Sequence, residues 1–285
     1  MFESPTEVVY TSDSQLRHPR QFVRHMLTGL LAARELAWRL LVRNIQAQYR
    51  QPLLGYFWII LPALATTLLW IFLNQSQILD VGETDIPYPV YVLVGTLLWQ
   101  GFVDALNSPF QQLAASEGLL TKINFPKEAI IMAGLGEALF NSAIRMLLLL
   151  VVFLWFRIAV PATILLAPIG ILALLTLGAT LGLLLAPLGM LYPDIQRGIN
   201  IMIPLWFFIT PVVYSPPTTW PAVLIAKLNP VSPLLITTRE LLTTGTLSQA
   251  GYFLLMVCLM PLLLISSWVF YRLAMPHLIV RMTAR

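Results

Sequence analysis

LLGYFWIILPALATTLLWIFL, Leu53 to Leu73, decides the fold: 21 residues without one charge, the length an α-helix needs to cross about 30 Å of hydrocarbon. Just before it, residues 31–50 read as a helix lying on a membrane. At 100° per residue Leu31, Trp38, Leu41, Val42, Ile45 and Tyr49 share one side, while Glu35, Arg39, Arg43, Gln46 and Arg50 share the other. Arg34 falls on the apolar side, where a long side chain near the headgroups survives by snorkelling. The apolar face meets lipid, and the polar face stays open either to water or to a cytoplasmic protein. Composition agrees: 58% of the 285 residues are hydrophobic and only 11% are charged, against about 25% charged in a soluble domain. We therefore expect an all-α integral membrane protein.

Outward from that stretch the chain alternates apolar runs with short polar connections. Residues 74–88 hold Asp80, Glu83 and Asp85 and no Lys or Arg, so this loop is expected to face away from the cytoplasm. The second span covers 89–110, the third 130–156, the fourth 162–190, the fifth 199–214 and the last 251–271. The fifth is short and contains Pro204 and Pro211. In the fourth, Gly178 and Gly182 allow close helix packing, most simply within the chain. Between the fifth and last spans, 215–245 is rich in proline and carries two apolar pieces too short to cross, joined at Asn229-Pro230. We expect a re-entrant helical hairpin there, its second helix capped by Ser232, started by Pro233 and ended by Gly245 in a left-handed conformation.

Six spans put both termini in the cytoplasm. Seven arginines precede the first span, Lys122 and Lys127 lie in the first connection, Arg197 in the second, and Arg272, Arg281 and Arg285 in the tail; the other side holds Arg157, Lys227 and Arg239. The polar first 26 residues lack the pattern of a cleaved signal peptide. The expected organisation is a cytoplasmic tail at 1–28, an interfacial helix at 29–52, a six-span domain at 53–271 with a cytoplasmic segment at 113–128, and a basic tail at 272–285.

Chemistry within the chain is sparse. Lys122, Lys127 and Lys227 follow Thr121, Pro126 and Ala226, so there is no Gly-Lys and no phosphate-binding loop. His18, His25 and His277 lie in the terminal segments, and no Ser, His and acid combination gathers in the spans. A lone Cys258 excludes an internal disulfide and a cysteine metal site; no metal or cofactor is expected. The net charge of +4 reflects orientation in a membrane and not nucleic-acid binding. Asp104, Glu137 and Arg145 are ionisable groups at membrane depth, and four-residue steps align Glu137, Asn141 and Arg145 on one side of a helix. An unpaired arginine there costs at least about 2.5 kcal/mol, so Arg145 is expected to pair with Asp104 or Glu137. A structural ion-pair network is the favoured reading; a proton-coupled carrier is the rival, although no internal repeat accompanies it.

Taken in order, Tyr49-Arg50, Leu54-Gly55-Tyr56-Phe57-Trp58, Phe125-Pro126, Tyr192-Pro193-Asp194, Pro211-Val212-Val213-Tyr214 and Leu228-Asn229-Pro230 resemble the ABC-2 type permease subunits of bacterial polysaccharide exporters. The resemblance implies an inner-membrane homodimer with two copies of a separate ATP-binding subunit, which supplies ATP and Mg, and a lipid-linked glycan as cargo. It implies a coupling helix around Gly118, Leu119, Leu120, Lys122 and Phe125, and headgroup entry near Arg50, Leu54, Gly55 and Tyr56. A permease for a smaller amphiphile is the alternative. Sugars stack their C–H faces on aromatic rings, so Trp99, Phe102, Trp206, Phe207 and Tyr214 are candidates to line a passage, with packing the competing role for Trp206 and Phe207. Trp58, Trp70 and Trp220 suit interfacial anchoring.

Overall fold

The computed structural model describes residues 19–50, 57–78, 81–116, 118, 126–217 and 219–283. Every regular element among them is helical: α1 (Pro19–Arg50), α2 (Phe57–Gln75), α3 (Tyr88–Ala115), α4 (Glu128–Trp155), a 3-10 turn (Ala162–Leu166) leading into α5 (Ala167–Leu191), α6 (Pro193–Ile209), α7 (Ala222–Leu228), α8 (Val231–Thr243) and α9 (Ala250–Thr283). Five stretches are long and apolar enough to cross a membrane: α2, α3, α4, Ala162–Leu191 and the Ala250–Pro276 part of α9. Helix α6 has 17 residues and falls short of that length.

Helix α3 is the axis of the molecule, packed against α2, α4 and α5. Its closest neighbour is α5, because a Cβ at Gly178 or Gly182 would strike the carbonyl oxygens of Phe102 or Leu106. The Gly-xxx-Gly spacing thus serves packing within the chain, where missing side chains let two backbones touch.

Contacts divide the bundle into two ends. At one, α1 lies across the start of α4 and Tyr271 of α9 reaches the carbonyl of Lys127. At the other, the loop before α3, the chain after α6 and helices α7 and α8 converge. Helix α8 is buried along most of its length, yet neither helix of this pair is long enough to cross.

Several expected boundaries move. Helix α1 begins at Pro19, ten residues before the expected start at 29. It packs through Met26, Ala33 and Ala37, with Leu41 over Gly136, while Leu31 and Trp38 are exposed. Ala33 and Ala37, with Leu36, Leu40 and Leu41 beside them, make the protein contact, so it lies on a different side from Leu31 and Trp38. The expected connection before the fifth span is one residue, Tyr192: Pro193 starts α6 with its fixed φ, and Asp194 faces the positive end of the helix dipole. The basic tail from 272 continues α9 through Thr283. In the hairpin, Asn229 and not Ser232 holds the start of α8, its Oδ1 accepting the Val231 N–H at 3.1 Å. Gly245 does end α8 in the left-handed region, with φ of 77° and its N–H bonded to the Glu240 carbonyl at 2.8 Å.

Candidate functional site

A polar ladder joins α3 to α4. Asp104, Ser108 and Gln112 recur every four residues on α3 and meet the stripe Glu137, Asn141, Arg145 running the opposite way on α4. Arg145 donates from Nη2 to Asp104 Oδ2 at 2.6 Å, and Asn141 hydrogen-bonds the same carboxylate. Arg145 is 4% exposed, and its Nε and Nη1 find no partner among the described residues. Nearer the α1 end, Gln112 donates to Glu137 at 3.0 Å and accepts from Asn44 of α1 at 3.0 Å. Of the two acids named as partners of Arg145, Asp104 takes it and Glu137 belongs to the next rung. Gln112 and Asn44 escaped the sequence reading, although the four-residue spacing from Asp104 was there to find.

The aromatic residues separate into two sets. Trp99 and Phe102 are 3% and 0% exposed, stacked edge to face on Trp206 at 6.3 and 5.3 Å. Trp206 donates its indole N–H to Asn229 Oδ1 at 3.0 Å, tying α6 to the hairpin. Trp99 and Phe102 are thus covered by their own chain, with no ring face exposed in this arrangement. Trp206 is committed to the same packing. Phe207 and Phe208 stack on Trp70 of α2, and Phe208 is 62% exposed. With Ile201, Met202 and Leu205 it makes an uncovered apolar side of α6, which has no buried residue. Sequence reasoning missed Phe208, since only packing tells it from its neighbour. Tyr214 is half-buried, its hydroxyl donating to the Phe208 carbonyl at 2.9 Å.

The turn that ends α6 leaves carbonyls outside any helix, and side chains take them up. Arg239 Nη1 donates to Pro211 and Val212 at 3.2 and 3.0 Å, Tyr88 to Val213 at 3.1 Å and Tyr91 to Tyr214 at 2.9 Å. The Arg239 guanidinium lies 3.7 Å above the Tyr91 ring. Asn229 Nδ2 also donates to Thr210 at 2.8 Å.

At the opposite end Arg272 pairs with Glu128 at 3.0 Å, and Gly29 of α1 sits against both side chains. Burial pushes the neighbouring Lys127 ammonium below its usual value; Glu128 opposes this and Arg272 adds to it. Of the expected coupling residues, Gly118 alone is described; Leu119, Leu120, Lys122 and Phe125 lie outside the described residues. So do the entry residues Leu54, Gly55 and Tyr56, while Arg50 is the last residue of α1.

This all-helical bundle, with its short α6 and the hairpin behind it, coincides with a family match: the model described as ABC-2 type transporter covers residues 35–243, from α1 through α8. The chain belongs to the ABC-2 type transporter family. As a family member it is a multi-pass membrane transport protein. It is 27% identical over 190 residues to the O-antigen export system permease protein RfbA of Myxococcus xanthus, covering 66% of this chain and 72% of that one. An RfbA of Klebsiella pneumoniae is 24% identical over 216 residues, covering 72% and 79%. The polysialic acid transport protein KpsM of Escherichia coli is 25% identical over 215 residues, covering 74% and 82%. The polar ladder, aromatic cluster and Arg239 clamp of this ABC-2 chain all fall within the matched region.

Proposed function

We propose that this chain is the membrane subunit of an ATP-driven exporter that moves a lipid-linked polysaccharide across the inner membrane. The observation that carries the reading is the similarity, over two thirds or more of the chain, to relatives named for O-antigen export and for polysialic acid transport. The absence of any Gly-Lys sequence supports a separate ATP-binding chain as the source of energy. The closed Asp104–Arg145 pair supports a structural role for the intramembrane charges and weakens the proton-carrier reading.

In this reading residues 53–271 form a six-crossing domain with both termini cytoplasmic. Helix α6 is the sixth crossing despite its length, supported by its course from the α5 end beside Phe110 to the Val212 contact with Gly95. Helix α1 lies along the cytoplasmic interface, and α7 and α8 form a re-entrant hairpin at the outer face. Two copies pair with their α2 and α6 helices toward each other, so that the exposed Phe208, with Phe207 and Tyr214, lines the route. Uncharged aromatic faces suit a polymer that must slide, because stacking tolerates each successive sugar. The segment at 113–128 contacts two ATP-binding subunits, and the headgroup enters near Arg50 to Tyr56.

Deleting the gene tests the reading: surface polysaccharide should vanish while lipid-linked glycan accumulates inside the cell. Unchanged surface polysaccharide would overturn it.

A further inference from the structure

The loop before α3, the chain after α6 and the end of α8 border a cavity of about 150 Å³, open on one side, with Glu83 and Asp85 at its exposed rim. Liquid water takes roughly 30 Å³ per molecule, so this space is large for one solvent molecule and small for a drug-sized ligand. Its lining is of two kinds. Ile86, Ile236 and Pro216 give apolar surface, and Glu83, Asp85 and Glu240 give carboxylates, of which Glu240 already accepts from the N–H and hydroxyl of Ser248.

Four of the five lining hydroxyls spend their protons inside the protein, and the fifth, Thr244, shares a hydrogen bond with the Thr246 hydroxyl. Thr84 donates to the Ile86 carbonyl at 2.9 Å, Ser215 to Glu83 at 2.5 Å, Thr243 to Arg239 at 2.8 Å and Tyr91 to Tyr214 at 2.9 Å. What these groups retain is lone pairs. The one cation in the lining, Arg239, commits Nη1 to two carbonyls and stacks on Tyr91. The cavity wall thus accepts hydrogen bonds, carries net negative charge and keeps an apolar portion. An anionic ligand is repelled. A bare metal ion lacks a set of ligands, since no cluster of three or more metal-binding side chains occurs among the described residues.

We infer that this cavity is a subsite for a single neutral sugar unit, whose hydroxyls donate to the carboxylates while its C–H face meets Ile86 and Ile236. The inference rests on the exporter reading, and gives the glycan a docking point beside the clamp formed by Arg239.

The test uses the full chain assembled with its ATP-binding partner in lipid nanodiscs, with saturation-transfer NMR of three neutral probes, the methyl glycosides of mannose, galactose and N-acetylglucosamine. At least one should give a saturable signal that neither N-acetylneuraminic acid nor CaCl₂ displaces. Asp85→Ala should weaken it about tenfold, the worth of one hydrogen bond to a charged group, and Thr84→Trp should abolish it by filling the space. Both variants should keep basal ATP hydrolysis, which shows that they fold. No signal from any probe, displacement by CaCl₂, equal binding of N-acetylneuraminic acid, or unchanged binding in both variants would overturn the subsite. Binding is read without translocation, so its failure leaves the export reading standing; that reading falls if the deletion strain keeps its surface polysaccharide.

Discussion

The two ends of the bundle are held together by different chemistry. At the α8 end, beside the Trp206, Asn229 and Thr210 side-chain bonds, side chains bond chiefly to backbone: Arg239, Tyr88 and Tyr91 take the carbonyls of residues 211–214. At the α1 end, apart from Tyr271 on the Lys127 carbonyl, side chains bond to side chains, Glu128 to Arg272 and Asn44 to Gln112 to Glu137. The difference follows from sequence. Pro211 and the residues after it break α6 and leave carbonyls that must be satisfied where water is scarce, so the contacts there admit few alternatives. Regular helices meet at the other end with their backbone groups already paired, so polar side-chain tips make the contacts. On the proposed orientation, the end anchored through backbone faces outward and the side-chain joint faces the ATP-binding partner.

This contrast predicts a gradient of mutational effects. The largest belongs to Arg239→Met, which strands the Pro211 and Val212 carbonyls; at about 1–3 kcal/mol for each buried unsatisfied group, most of the folded protein should be lost, as judged by thermal unfolding in detergent. Arg239→Lys should rescue part of it. Trp206→Ala should follow, costing about 3 kcal/mol as a large-to-small change that also cuts the bond to Asn229. Phe208→Ala, two residues on in the same helix but facing out, should leave the melting temperature unchanged while lowering surface polysaccharide. Equal behaviour of the two variants would erase the division of the aromatics.

Midway between the ends, Asp104→Ala leaves Arg145 uncompensated at a cost of up to about 3 kcal/mol, the low end for a buried pair because Asp104 is partly exposed. The double variant Asp104→Leu with Arg145→Met should unfold close to wild type. Glu128→Gln should cost only about 1 kcal/mol although the pair is mostly buried, because the amide oxygen still accepts from Arg272. It should instead loosen the link between ATP hydrolysis and export, read as hydrolysis retained with export reduced.

Membrane character and most apolar runs were legible from length and the absence of charge, because the bilayer imposes both. The two short helices α7 and α8 were legible from their prolines and from Asn229-Pro230. What escaped depends on which side of a helix faces its own chain. Trp99 and Phe208 carry similar rings in similar runs, and only the fold buries one and exposes the other. The Ala33 and Ala37 contact of α1 was hidden beneath a stronger pattern of large apolar residues. The α6 start was masked because Tyr192-Pro193-Asp194 reads equally as a polar connection or as the first turn of a helix. In the polar ladder the α4 stripe was legible, and the α3 half was missed because Ser108 and Gln112 are common, uncharged residues.

The most direct test of the exporter reading is glycan transfer into inverted membrane vesicles containing the chain and its ATP-binding partner. ATP should drive transfer even with a protonophore present, and a proton gradient without ATP should drive none. Transfer powered by the gradient alone would contradict the account.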